Sequence, residues 1–256
     1  MSNIPVAVQM FTLREASQKD FTGTLEKVAN IGFNGVEFAG YGGMSSRDVR
    51  KTIDQLGLEA ASSHIPLTAI ESEGELKQVI QDQHNLGSRH IVCPFLPEDR
   101  RTEKDYQELV DILNKAGHIC REEGITLSYH NHDFELAKMK DGRTPLELLL
   151  EETNPDWVKA EFDIYWLTKA GESPGQWLEK YRGRTPLVHL KDMTNDEEQF
   201  FAELGTGGVD LSDVLNRGDN NQVEWWIVEQ DQSRKSPFES IKESYQYLKE
   251  QKVISI

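Results

Sequence analysis

One pattern recurs through the whole chain: a short apolar segment typical of a β-strand is followed by a longer segment with apolar residues at helical spacing. The predicted strands are Pro5–Met10, Gly35–Ala39, Leu58–His64, Arg89–Pro94, Ile125–His132, Trp157–Asp163, Pro186–Lys191 and Val223–Gln230. The predicted helices are Phe21–Ile31, Ser45–Leu56, Glu73–Leu86, Glu103–Glu123, Pro145–Glu152, Pro174–Tyr181, Leu211–Leu215 and Pro237–Gln251. Several of these helices are followed by a glycine, which is typical of the turn into the next strand.

Eight strand–helix units in 256 residues average about 32 residues each, and no linker or change in composition divides them. We therefore predict an α/β fold, a single closed (β/α)8 barrel that spans residues 1–256 as one domain. The alternative is an open, doubly wound sheet, which usually carries a G-x-G-x-x-G turn after its first strand. Here the first strand is followed by Phe11-Thr-Leu-Arg-Glu15, and the glycine-rich segment Gly205-Thr-Gly-Gly208 comes late and is expected to be a loop.

Composition narrows the class of protein. The formal net charge is −16, which disfavours a nucleic acid or an anionic membrane as partner. No apolar run reaches the roughly 18 residues that a membrane helix needs, and the N-terminus has no pattern of a secretory signal. We therefore expect a cytoplasmic protein with a small-molecule substrate, and leave a homo-oligomer open. Cys93 and Cys120 have no metal or redox spacing and are expected to be reduced.

Polar side chains gather where the predicted strands end, which is where barrel enzymes place their active sites. These residues are Gln9, Glu37, His64, His130, His132, Asp163, His189, Lys191 and Glu229. Small residues, among them Ala7, Gly35, Ala60, Ser62, Thr126 and Ser128, are expected on the inward faces below them. The fifth strand shows the trend clearly, because a period of two places Thr126, Ser128, His130 and His132 on one face.

Four of these residues could bind one metal ion: His130, Asp163, His189 and Glu229, one from each of the last four strands. Two imidazoles and two carboxylates suit a divalent ion. We expect Mn²⁺ first, with Co²⁺, Fe²⁺, Zn²⁺ or Mg²⁺ as alternatives. The competing interpretation makes Asp163 and Glu229 helix caps and His189 a core histidine.

The motifs of the chain resemble those of the xylose isomerase-like TIM barrels, a family of sugar isomerases and epimerases that also includes inosose dehydratases and, more distantly, the endonuclease IV type of DNA-repair enzyme. The motifs are Val8-Gln-Met-Phe-Thr-Leu-Arg14, Gly32-Phe-Asn-Gly-Val-Glu37, Tyr129-His-Asn-His-Asp-Phe-Glu135, Glu161-Phe-Asp-Ile-Tyr-Trp166, His189-Leu-Lys-Asp192 and Leu204-Gly-Thr-Gly-Gly208. The resemblance implies a divalent metal at Asp163, His189 and Glu229. Sugar epimerases of the family usually have a glutamate on strand five, where this chain has His130; Tyr129 or His132 would take that position if the register differs.

The resemblance implies an isomerase or epimerase that removes a proton next to the carbonyl of a small keto sugar or polyol and passes through an enediolate. A dehydratase or lyase, acting on an inosose or by β-elimination from a 3-keto-glycoside, is the first alternative, and a non-catalytic binding barrel is the second. We expect Glu229 to be the base, with His132 or Glu135 as the partner acid. The residues expected to contact the substrate are Gln9, Glu37, His64, Trp166 and Lys191, with Phe11 as a further apolar wall.

Overall fold

A computed structural model describes residues 4–253 of the chain, and its central feature is a closed barrel of parallel strands. The barrel strands are β1 (Val6–Gln9), β2 (Gly35–Phe38), β3 (Glu59–His64), β4 (His90–Cys93), β5 (Thr126–His130), β6 (Val158–Asp163), β7 (Leu187–Leu190) and β10 (Trp225–Val228). They are hydrogen-bonded in this order, and β10 closes the barrel against β1. The predicted (β/α)8 fold is therefore confirmed. Residues 1–3 and 254–256, at the two ends of the predicted domain, lie outside the described residues.

Helices surround the barrel. They are α1 (Arg14–Lys19), α2 (Phe21–Ile31), α3 (Ser46–Leu56), α4 (Leu67–Glu71), α5 (Glu73–Leu86), α6 (Glu103–Glu122), α7 (Pro145–Glu152), α8 (Ile164–Lys169), α9 (Pro174–Lys180), α10 (Leu211–Asn221) and α11 (Pro237–Glu250). The eight predicted helices are present. The sequence reading missed the short helices α1, α4 and α8 and the small antiparallel pair β8 (Asp192–Met193) and β9 (Phe201–Ala202).

The ends of the helices have local causes. Thr144 begins α7 with a capping box, in which its side chain accepts from the backbone of Glu147 and the Glu147 carboxylate accepts from the Thr144 backbone. Gly57 ends α3 with a φ of +68°, a left-handed conformation that glycine adopts without steric cost. A helix that ends in this way is followed within a few residues by the next strand. The barrel strands therefore all run in the same direction.

Apolar residues inside the lower part of the barrel support the polar residues above them. A small interior cluster joins six buried side chains: Ala7, Ala61, Val92, Leu187, Trp225 and Ile227. A separate, larger core fills the space between the strands and the helices. Two positions farther along β1, β7 and β10, the same inward faces carry Gln9, His189 and Glu229. The barrel therefore has a packed floor and a polar upper layer.

A bulge in β3 decides which way His64 points. Val36 of β2 pairs with Ala60, whereas the next residue, Glu37, pairs with Ser62, so that Ala61 is an extra residue. Ala60 packs in the outer core and Ala61 in the interior cluster; the expectation that Ala60 faces inward was wrong, because it did not include the bulge. Since side chains alternate along a strand, the extra residue turns His64 to the inner face that Glu37 shares.

Within residues 4–253, no helix combines the length and the apolar character that a membrane crossing requires. Both cysteines are buried and free. Burial raises the pKa of the Cys93 thiol to about 12, so this side chain behaves as a small apolar group and not as a nucleophile.

Candidate metal centre

The four residues expected to bind a metal converge at the carboxyl end of the barrel. One donor atom from each of His130, Asp163, His189 and Glu229 lies within 4.8 Å of the others. All four side chains are buried. We call these residues the upper donor set. Its two nitrogens and two oxygens match the coordination preferences of a divalent transition metal.

Asp163 performs two tasks with its two oxygens. Oδ1 accepts hydrogen bonds from the backbone N–H groups of Tyr165 and Trp166 and so caps α8. Oδ2 lies 3.0 Å from Nζ of Lys191 and 3.7 Å from Nε2 of His130. The helix-cap interpretation and the metal-ligand interpretation are therefore compatible, because each needs a different oxygen. The cap also fixes the carboxylate plane and aims Oδ2 at the centre of the barrel.

The His189 ring connects the upper donor set to a deeper layer. Its Nδ1 lies 2.9 Å from Oε2 of Glu229, and its Nε2 lies 3.0 Å from Oε1 of Glu37 and 3.2 Å from Oε2 of Glu161. Burial alone would lower the pKa of His189, but these three carboxylates raise it well above its usual value. A metal at Nδ1 would therefore replace a proton, while Nε2–H continues to donate to the deeper carboxylates.

His130 also presents one nitrogen to each layer. Burial, together with the charge of His189, lowers the pKa of His130 well below its usual value, so the ring is neutral. Its Nδ1 lies 3.0 Å from Oε2 of Glu161, and a carboxylate can only accept, so the proton belongs on Nδ1. The lone pair of Nε2 then faces the Asp163 carboxylate. A cation between these two acceptors would relieve their repulsion, which is evidence that the site fits a metal.

The deeper layer consists of the buried Glu37 and Glu161 and the half-buried His64. Nε2 of His64 lies 2.7 Å from Glu37 and 2.8 Å from Glu161. Burial opposes every charge here, yet the carboxylates raise the pKa of His64 to about 10 and the histidines, together with the His130 hydrogen bond, lower that of Glu161 to about 2. Oε1 of Glu161 is buried and has no hydrogen-bond partner among the described residues. His64, Glu161, His130 and His189 also form a second four-donor set.

Lys191 lies among three carboxylates of the upper layer. Its Nζ is 3.0 Å from Asp163, 2.8 Å from Glu229 and 3.0 Å from Asp231. Burial alone would lower the pKa of Lys191, and these neighbours instead raise it well above its usual value. The sequence analysis missed Asp231. It lies two residues after Glu229, and residues two apart on a strand share one face, so this spacing could have identified it.

His132 and Glu135 lie differently from what was expected. β5 ends at His130, so His132 follows in a turn, where its ring packs 5.4 Å from those of Phe134 and Trp166. Burial, with a contribution from the Lys191 charge, lowers the pKa of His132 to about 3. Glu135 accepts from the backbone N–H of His132 and not from its ring, and the charge of Glu229 raises the pKa of His132 by less than burial lowers it.

Glu135 is a buried structural neighbour of β5. One carboxylate oxygen accepts from the hydroxyl of Tyr129 at 2.6 Å, and the other holds the His132 backbone. Tyr129 points to the face of β5 opposite His130, and Glu135 does not line the central cavity. Burial raises the pKa of Glu135 to about 7. This placement argues against Glu135 as the partner acid.

Three expected substrate contacts lie beneath or beside the cavity. Gln9 is buried, and its Oε1 accepts from the backbone of Phe11, while Glu37 belongs to the deeper layer. Trp166 contacts His132 and has Lys191 Nζ 5.5 Å from its ring. None of the three lines the cavity, whereas His64 and Lys191 do. Gln9, Glu37 and Trp166 therefore lie outside the lining of this cavity, and direct contact of these side chains with a substrate stays a prediction.

A cavity of about 600 Å³ opens over the upper donor set. Its charged and imidazole-bearing walls are His64, His130, His132, Lys191, Glu229 and Asp231. A volume within the range of about 300–1,000 Å³ suits a small organic ligand. The donor atoms of His130 and Glu229 therefore lie where a bound molecule could reach them.

Comparison with known proteins agrees with this geometry. The family model of xylose isomerase-like TIM barrels matches residues 25–251. An inosose dehydratase of Geobacillus kaustophilus is 26% identical over 264 residues, which cover 88% of this chain and 85% of that protein. An inosose dehydratase of Clostridium beijerinckii is also 26% identical and covers 91% of this chain and 90% of its own length.

Similar solved structures share the fold. A sugar phosphate isomerase/epimerase from Parabacteroides distasonis superimposes with a TM-score of 0.85 at 24% identity, over 100% of this chain and 96% of its own. The IOLI protein, whose crystal structure contains a zinc atom, superimposes with a TM-score of 0.77 at 15% identity, over 98% of this chain and 100% of its own. At these sequence identities the similarity shows that the chain shares the fold of these proteins. The reaction has to be inferred from the residues of the site.

Proposed function

Because the chain belongs to the family of xylose isomerase-like TIM barrels, we propose that it is a metal-dependent isomerase or epimerase of a small keto sugar or related polyol. The observation that carries the proposal is the upper donor set: four ligand-type atoms within 4.8 Å of one another, two of them on side chains that line the cavity. His130, Asp163, His189 and Glu229 would hold one divalent ion, with Mn²⁺ as the first candidate.

A divalent ion held by these residues would supply Lewis acidity, which favours loss of a proton from the C–H next to a carbonyl and stabilises the negative charge of the resulting enediolate. We assign Glu229 as the base that takes this proton. Its hydrogen bonds to His189 and Lys191 both use Oε2, so Oε1 is left for the substrate. Those two cations hold the pKa of Glu229 well below its usual value despite burial, which makes it a weak base, but one that is always ionised and fixed in orientation.

Lys191 and His132 complete the cavity side of the site. Lys191 keeps Glu229 and Asp163 at a fixed separation and compensates their charge. His132 is neutral in the metal-free protein, so we assign it a role in orienting a substrate hydroxyl by hydrogen bonding and not in donating a full proton. Return of the proton from Glu229 to the neighbouring carbon of the enediolate, with a proton moving between its two oxygens, gives the isomer. Epimerisation needs a second group, a side chain or water, that delivers a proton to the opposite face of the carbon that lost it.

Elimination is the second candidate, and two observations favour it. The relatives of about 26% identity are inosose dehydratases, and β5 presents an imidazole where the epimerases described above usually have a second carboxylate. In that case the enediolate expels a β-oxygen before the proton returns. The first step and the residues that perform it are the same.

The test is incubation of the metal-loaded protein in D₂O with a panel of keto sugars and keto-inositols. Exchange of the C–H next to the carbonyl, with conversion to an isomer, would support the proposal. Exchange followed by loss of water or of a glycosidic oxygen would favour the second candidate. Retention of metal with no exchange on any member of the panel would favour a binding barrel without turnover and count against both enzyme proposals.

A further inference from the structure

The cavity has two chemically different halves. The charged residues of the upper layer form one wall. The loops that follow β1 to β4 form the other, which is apolar and contains Phe11, Tyr41, Ile65, Pro66, Pro94 and Phe95. We place a sugar ring over the upper donor set, beside the first wall. The second wall offers apolar surface that hydroxyl groups alone cannot use.

Two aromatic rings on the apolar wall are unusually exposed. Phe11 is 42% exposed and Phe95 is 46% exposed, and these are the exposed large hydrophobic side chains among residues 4–253. They come from opposite sides of that wall, since Phe11 follows β1 and Phe95 follows β4. The guanidinium of Arg14 lies 4.4 Å from the centroid of the Phe11 ring. The exposed parts of the two phenylalanine rings remain in contact with water, and a flat apolar group packed against them would remove that area from water.

The polar wall has no free cation for a phosphate group. Of the described residues that line the cavity, Lys191 is the one lysine or arginine. Its ammonium already lies within 3.0 Å of each of three carboxylates. A phosphate dianion beside Glu229 and Asp231 would be repelled, whereas phosphate sites normally provide arginine, lysine or open backbone N–H groups.

The backbone N–H groups that could bind a phosphate in this fold already donate to another group. TIM barrels often bind phosphate with the loops after the last two barrel strands, and here the glycine-rich segment Gly205–Gly208 follows β7. The N–H groups of Gly205 and Gly207 donate to Oδ2 of Asp192, at 3.0 and 3.1 Å, and that of Val209 donates to Oδ1 at 3.0 Å. The Asp192 carboxylate thus fills the position that an anion would need.

We propose that the natural substrate is an unphosphorylated keto sugar that carries an aromatic substituent, with the sugar over the upper donor set and the aromatic group between Phe11 and Phe95. This inference deepens the proposed function and rests on it for the placement of the sugar. The two features of this substrate have separate support. The polar wall is anionic and would repel a phosphate, and the other wall is apolar and aromatic.

The test measures binding without chemistry. Phenyl β-glucoside, methyl β-glucoside and methyl β-glucoside 6-phosphate lack the reactive carbonyl, so calorimetry on the metal-loaded protein reports affinity alone. We expect the phenyl compound to bind about tenfold more tightly than the methyl compound, and the phosphate to give no gain. Phe11→Ala and Phe95→Ala should each remove most of the phenyl preference. Phe200→Ala, a partly buried phenylalanine outside the cavity, is the matched control and should keep it.

Equal affinity of the wild-type protein for the phenyl and methyl compounds would overturn the inference, as would tighter binding of the phosphate. A phenyl preference that survives both Phe11→Ala and Phe95→Ala would also overturn it. The D₂O exchange experiment is run separately on the same preparations. Exchange without a phenyl preference leaves the proposed function standing and removes the inference; a phenyl preference that depends on Phe11 and Phe95, without exchange, supports the aromatic site and counts against the enzyme.

Discussion

Glu37 and His189 are 152 positions apart in the chain and meet at 3.0 Å between Oε1 and Nε2, beneath the upper donor set. A carboxylate behind a metal-binding imidazole fixes the ring and raises its basicity, and its loss typically costs 10- to 100-fold in metal affinity. We therefore predict that Glu37→Gln, which keeps the size of the side chain and loses its charge, weakens metal binding by about that factor. Competition with a chelator measures it.

The control for this variant is Glu224→Gln. Glu224 also accepts from a histidine, His90, at 3.1 Å, but this pair involves the first residue of β4, at the opposite end of the barrel. Metal affinity should be unchanged there. An equal loss in both variants would mean that the effect is a general destabilisation of the fold and not a property of the residue behind His189.

Removal of His189 should remove the metal. We predict that the protein takes up about one divalent ion per chain and that His189→Ala takes up none, since one of four ligands is lost. Because the raised pKa of His189 means that the metal must displace a proton, affinity should also rise with pH through the neutral range. Elemental analysis after dialysis at several pH values checks both points; His90→Ala is the control, and unchanged metal in folded His189→Ala protein would refute the site.

Glu229→Gln separates the base from the ligand. The amide keeps an oxygen donor but cannot accept a proton, so turnover should fall on the order of 10²-fold or more. Metal affinity should fall less, because Asp163 and both imidazoles remain. Parallel assays of exchange and metal content decide this. Full exchange in the variant would transfer the role of base to another residue.

Variants of His132 distinguish a residue that orients the substrate from a residue that acts as a general acid. A neutral imidazole that only holds a substrate hydroxyl can be replaced in part by an amide, so His132→Asn should retain more activity than His132→Ala, and both should retain metal. The pH profile of wild-type activity should show no ionisation of His132 between pH 5 and 8, because the pKa of this residue is lowered to about 3. Metal loss in His132→Ala with retention in His130→Ala would show that the two histidines exchange roles.

The sequence predicted the barrel well because each of its signals is local. Alternating apolar residues, glycine helix ends and a polar residue at the end of a strand are all visible within one strand–helix unit. The upper donor set follows from that regularity, since the parallel strands of a barrel bring their last residues to one rim. His130, Asp163, His189 and Glu229 were therefore chosen from strand ends alone, and their donor atoms do lie together.

The interactions that sequence patterns do not encode are the ones that were missed. The extra residue Ala61 in β3 moves Ala60 to the outer core while Ser62 and His64 keep the inner face, and no period of two predicts this change. The burial of Glu37 under His189 depends on how the barrel closes, not on either segment alone. The turn after His130 places Glu135 against Tyr129 instead of the cavity, because a phenol hydroxyl was available to satisfy the buried carboxylate.

Glu135 also gives a prediction for stability against pH. Burial raises its pKa from 4.5 to about 7 in the folded protein. Between these values the unfolded chain has lost the proton that the folded protein keeps, so the free energy of unfolding falls as pH rises through this window, by roughly 3 kcal/mol in total. Glu135→Gln has no proton to lose. We therefore expect the stability of this variant, relative to wild type, to improve by about that amount between pH 4.5 and pH 8.

Urea unfolding at several pH values measures this difference. The pH dependence is the decisive quantity, because the amide oxygen can accept only one of the two hydrogen bonds, from Tyr129 or from the His132 backbone, and this change adds an offset that is the same at every pH. Glu147→Gln is the control of opposite sign. The hydrogen bond from Lys180 lowers the pKa of Glu147, so the ionised carboxylate stabilises the fold above its unfolded pKa, and wild type should gain on this variant as pH rises. If Glu135→Gln instead follows wild type at a constant offset from pH 4.5 to 8, then Glu135 is ionised in the folded protein and its burial among apolar groups does not control its charge.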